Sequence, residues 1–173
     1  MHYQPPVYTP ALVSPCFTPR QNCRGDILRL IYSAKKTIRV QGYFFTSYKM
    51  ANALVKMKNR GIDVKVILDK SQFQCGQRSQ RTMLIKGGVA IWEDFKPNIA
   101  HNKIIIVDGE TVETGSYNFT PSAQFYNAEN IVLIKSPKIA QSYLKNWRWR
   151  QSLSKPIHDL RCQKPIAAKK STK

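Results

Sequence analysis

An imidazole and an ammonium stand two residues apart at the head of one stretch. His101 and Lys103 open HNKIIIVDGETVETGSYNFT, residues 101–120. Side chains on an extended strand alternate between its faces, so these two project from the same face. An imidazole can attack an electrophile or move a proton, and an ammonium can hold an anion. Together they suit a phosphate. Further along, Ser116 and Asn118 can donate hydrogen bonds to phosphate oxygens.

The elements that must position these groups are legible around them. Ile104 to Val107 is a β-branched run and reads as a strand buried on both faces. Asp108-Gly109 is a hairpin turn signal, and Thr111 to Thr114 makes the return strand. The parity of Asp108 puts it off the His101 face, so a turn-forming role is expected for it. Taken singly, each of these residues has an ordinary use: a surface histidine, a solvated lysine, a turn aspartate, loop polar groups. The combined spacing, H-x-K-x-x-x-x-D followed by G-S-x-N-F-T, is hard to obtain by accident.

That spacing resembles the signature of the phospholipase D superfamily, carried here by His101, Lys103 and Asp108 with Gly115, Ser116 and Asn118 behind them. In order of elements, Ala11 to Trp149 is similar to the small bacterial Nuc-type endonucleases of that superfamily, which carry one signature copy where phospholipases carry two. The resemblance implies His101 as nucleophile or acid/base, with a phosphohistidine intermediate and no metal or other cofactor. It implies Lys103 and Asn118 on the non-bridging phosphate oxygens and Ser116 at the rim. Glu129 matches the family's acidic residue that orients the histidine. Asp108 and Gly115 carry over as signature residues only.

One histidine cannot easily attack phosphorus on one side and protonate the leaving oxygen on the other. The H-x-K pattern occurs once, and His2 and His158 lack a lysine two residues on. A homodimer is therefore expected, because a two-fold axis through the site brings the same residue to it twice.

The bulk numbers agree with an anionic substrate. The chain has 173 residues and a formal charge of +18 at pH 7, which points to a polyanionic partner, DNA or RNA before an anionic membrane. No run approaches the ~18 apolar residues of a membrane span. The first 15 residues show no intact signal peptide, so a cytoplasmic site is expected if Met1 is native, and a periplasmic or secreted one if a leader was removed. Cys16, Cys23, Cys75 and Cys162 form no C-x-x-C pair, which argues against zinc. Their even count allows disulfides and equally allows free thiols.

Strand and helix patterns alternate along the chain, which predicts an α/β fold: a mixed β-sheet flanked by helices on both faces. Residues 1–10 read as a loose proline-rich arm, 11–153 as the nuclease-like domain, and 154–173 as a mobile basic tail. Helices are expected from Asn22 to Ser33, capped by Asn22, from Ser47 to Arg60, from Arg78 to Lys86, and from Pro137. Strands are expected at 11–17, 37–45, 63–69, 89–92 and 129–135. Trp147 and Trp149 read as core. Arg78, Arg81, Lys86 and the basic residues of 56–60 are candidates for a nucleic-acid groove or a solvated face.

These features favour a metal-independent, non-sequence-specific endonuclease acting on DNA. A phosphatidyl hydrolase using the same groups, or an idle nucleic-acid-binding protein, are the alternatives.

Overall fold

A computed structural model describes residues 8–163. Six residues, Leu12–Phe17, form β1, and α1 follows at Cys23–Ser33, where the Asn22 side chain accepts the Gly25 N–H as its N-cap. Next come β2 at Thr37–Gly42 and α2 at Tyr48–Asn59, capped by Ser47 onto the Met50 N–H. Asp63–Asp69 is β3, and a short 3-10 helix covers Lys70–Phe73. The middle of the chain holds α3 at Arg81–Lys86, β4 at Ala90–Asp94, β5 at Ile104–Val107 and β6 at Thr111–Gly115. The last elements are α4 at Pro121–Phe125, β7 at Asn130–Lys135, α5 at Pro137–Leu153 and β8 at Lys155–Ile157.

The eight strands make one mixed sheet in the order β1-β7-β6-β5-β2-β3-β4-β8. Strands β2, β3 and β4 are parallel, and the remaining pairs are antiparallel. Alternation divides the central strands between two cores. Ile38, Val40, Val64, Val66, Ile105 and Val107 pack with α1 and α2, and Ile67, Ile104, Ile106 and Val112 pack with Leu144 and Trp147 of α5. All four residues of β5 are buried, as its unbroken β-branched run requires.

Several expectations are revised. The strand expected to reach residue 45 stops at Gly42, which frees Tyr43 and Phe44 for the site below. The tail expected from residue 154 is not loose at its start. β8 pairs with β4, Gln163 bridges Gln74, and Arg81 donates to the carbonyls of Leu160 and Arg161. Arg81 is thus a buried tie rather than a groove cation. Residues 1–7 of the expected arm, and the tail lysines Lys164, Lys169, Lys170 and Lys173, lie outside the described residues.

The free-thiol alternative does not hold. Disulfides join Cys16 to Cys23 and Cys75 to Cys162. The second closes a separation of 87 residues, which only the folded chain brings together.

Candidate active site

The parallel strands set the place. Chain segments leaving the carboxyl ends of β2 and β3 meet the segment entering β5, because β5 runs antiparallel to β2. Antiparallel β6 ends on the same edge, and β7 begins there. Ligand sites in α/β sheets favour such carboxyl ends.

His101 sits exposed just before β5. Its ring lies against Tyr43, with centroids 4.7 Å apart. The backbone leading to it is held by a buried carboxylate: Asp69, at the end of β3, accepts the N–H of Ala100 at 2.7 Å and that of Ser71 at 2.9 Å. Lys70 adds a bond to the Pro97 carbonyl at 2.9 Å. Sequence reasoning missed both Tyr43 and Asp69. The carboxyl-end position of each was the available signal.

Lys103 is only 5% exposed. Its Nζ donates to the His101 carbonyl at 2.6 Å and stands 5.5 Å from the Tyr43 ring centroid. Burial pushes its pKa below the usual lysine value, and the negative charge of Glu129 opposes that shift. The ammonium is therefore desolvated on a fixed stem, which strengthens its pull on an anion.

Ser116 and Glu129 are brought together. The Ser116 hydroxyl donates to Glu129 Oε2 at 2.6 Å and accepts the Asn130 N–H at 3.1 Å. A hydroxyl has one proton. In this arrangement the hydroxyl proton is directed to Glu129, and Ser116 holds that carboxylate. Glu129 also accepts from Asn127 Nδ2 at 2.9 Å. Within one chain its described partners do not include His101.

Gly115 permits this junction. A Cβ there would stand 2.1 Å from the Asn130 carbonyl oxygen, so only glycine lets β6 approach β7 so closely. Asn118 keeps its Oδ1 buried without a partner, and its Nδ2 makes no bond among the described residues.

Asp108 stands apart, at the far end of β5. Its φ is 53° and that of Gly109 is 67°, the pair of positive values a type I′ turn needs. Its carboxylate accepts the N–H groups of Lys35, Lys36 and Thr37 at 2.8–2.9 Å. Burial works against its charge, yet these three bonds outweigh it and hold the pKa below the usual carboxylate range. It fastens the β5–β6 turn to the loop before β2.

The comparisons with known proteins meet this geometry. The family described as "Cardiolipin synthase, PLD-like domain" matches residues 27–150. The chain belongs to the phospholipase D superfamily. It is 40% identical over 146 residues to a phospholipase D of Rickettsia prowazekii, covering 84% of this chain and 71% of that one. It is 29% identical to a mitochondrial cardiolipin hydrolase of Xenopus tropicalis, covering 84% and 70%. The crystal structure of the phospholipase D family member Nuc from Salmonella typhimurium superposes with a TM-score of 0.80. It is 36% identical and covers 87% of this chain and all of that one. This phospholipase D superfamily member is accordingly a phosphodiesterase, and its mixed sheet is the PLD-like nuclease fold.

Proposed function

We propose that the protein is an endonuclease that hydrolyses DNA phosphodiester bonds, without sequence readout, at a site shared by two copies of the chain. The formal charge of +18 carries the choice of substrate, because a polyanion offers many phosphates to many cations. The single signature carries the choice of assembly. His101 of one subunit attacks phosphorus, and the bond to the departing oxygen breaks as that oxygen takes a proton from His101 of the other. Water, deprotonated by the second imidazole, then displaces the first from the phosphohistidine. Lys103 and Asn118 hold the non-bridging oxygens throughout. Glu129, steadied by Ser116, orients a histidine in the assembled site.

Charge neutralisation by Lys103 makes a metal ion unnecessary for this route. Among the described residues no three His, Cys, Asp or Glu side chains gather as ligands would. Two disulfides suit an oxidising compartment, so the enzyme acts outside the reducing cytosol.

A phosphatidyl hydrolase is the second reading. The names of the rickettsial and mitochondrial relatives favour it. No helix among the described residues is long and apolar enough to cross a membrane. Purified protein incubated in excess EDTA with supercoiled plasmid, and separately with phosphatidylcholine vesicles, separates the readings. Nicked and linear plasmid is expected. Release of choline or phosphatidic acid with plasmid intact would replace the nuclease reading by the lipid one.

A further inference from the structure

A cavity of about 410 Å³ opens beside His101, between the segment 97–102 and the end of α5. Its size falls within the ~300–1,000 Å³ of small-ligand sites. Trp149 forms one wall and is 56% exposed, although a tryptophan so placed in a helix ordinarily packs inward. Helix geometry explains the exposure. Trp147 and Trp149 lie two residues apart and so point in nearly opposite directions. Trp147 is buried, with its indole N–H on the Val40 carbonyl at 3.0 Å, and Trp149 is turned out toward the site.

The indole has a supported side. The Arg150 guanidinium lies 5.1 Å from its centroid and is itself clamped to the fully buried Asp94, at 2.9 and 2.5 Å. That clamp neutralises Arg150 and makes it a support rather than a phosphate contact. Asn102 and Asn146 line the same cavity and offer amide donors and acceptors. A flat aromatic wall with amides at its margin, in a cavity that His101 also lines, matches a nucleobase. It does not match an acyl chain, which needs an apolar channel.

We propose that this cavity is a base-stacking subsite, in which the base next to the scissile phosphate stacks on Trp149. The inference rests on the nuclease reading. A base inside a duplex must leave its stack to reach the wall, at a cost of a few kcal/mol. The subsite therefore makes the enzyme favour single strands.

The test uses the full-length protein and three labelled DNA substrates: a 20-mer single strand, its duplex, and the same strand with every base replaced by an abasic linker. Loss of one stacked base weakens binding by about tenfold or more. Wild type is expected to prefer the intact strand over the abasic one by that factor in kcat/KM, and the preference should vanish in Trp149→Ala and Trp149→Leu while Trp149→Phe retains it. Two substitutions guard against one failing to fold. A preference that persists in both, or is absent from wild type that cleaves both strands, overturns the subsite and leaves the nuclease reading intact. Wild type that cleaves no strand overturns both. Trp149 fluorescence, read as the difference between wild type and Trp149→Phe, should quench with the intact strand. Quenching instead by phosphatidylglycerol vesicles, or by self-association without DNA, would assign the wall to lipid or to a second copy and overturn the proposal.

Discussion

The Asp69 carboxylate accepts the Ala100 N–H at 2.7 Å, one residue before His101. Asp69 is 2% exposed and lies at the carboxyl end of a central parallel strand. It is a positioning residue: it touches the backbone that aims the imidazole. Replacing it leaves a buried donor without a partner, which costs about 1–3 kcal/mol. Asp69→Ala should lower both the melting temperature and kcat, and Asp69→Asn, whose one amide oxygen can replace only one of the two acceptors, for Ala100 or for Ser71, should recover part of kcat. Equal kcat in Asp69→Ala and wild type would show that the bond does not aim His101.

His101→Ala should abolish cleavage and leave the circular dichroism spectrum unchanged, because the side chain is exposed at a strand entrance. Lys103→Ala and Asn118→Ala should each lower kcat by at least ~10²-fold, as loss of an anion-stabilising donor does. Wild-type turnover in any of the three contradicts its assigned role.

The proposed sharing of one site by two chains makes a quantitative expectation. Sedimentation should give about twice the 19.9 kDa chain mass. A heterodimer of wild type with His101→Ala should turn over far more slowly than half the wild-type rate, since its shared site lacks either the nucleophile or the acid. A fully active monomer would require another group in the second role.

Glu113 is fully buried, with neither carboxylate oxygen hydrogen-bonded. Burial raises its pKa well above the ordinary glutamate value. Above its unfolded pKa, near 4.5, the unfolded chain releases a proton that the folded chain retains. Stability is therefore lost as pH rises toward the folded pKa, by about 1.4 kcal/mol per pH unit. Glu113→Gln removes that loss. In urea titrations the variant should gain on wild type steadily from pH 5 upward, and a constant difference from pH 4 to 8 would show that Glu113 does not titrate in this way.

The two disulfides close loops of very different length, with separations of 87 and 7 residues. Loop-closure entropy predicts that Cys75→Ala with Cys162→Ala costs about 2 kcal/mol more than Cys16→Ala with Cys23→Ala. Thermal melts of the two double variants check the order. The opposite order would mean that packing of the buried Cys16 and Cys23, rather than chain entropy, dominates.

Short-range pattern carried much of the fold. Alternation placed β3, an unbroken β-branched run placed β5, the Asp108-Gly109 turn signal placed β6, and the side chains of Asn22 and Ser47 marked the starts of α1 and α2. The spacing of His101, Lys103 and Asp108, with Gly115, Ser116 and Asn118 behind them, pointed to the superfamily, because the whole pattern lies in order along one hairpin and the residues that follow it. Such information is local, and a linear sequence holds it. What depended on contacts between distant segments was decided only by tertiary structure. Cys75 meets Cys162, Asp69 meets Ala100, and Arg81 meets the 160–161 carbonyls, each through loops whose paths no periodicity encodes. Direction was decided there as well. Trp147 and Trp149 are the same residue type on one helix, and only the docking of α5 against the sheet made one of them core and left the other facing the site.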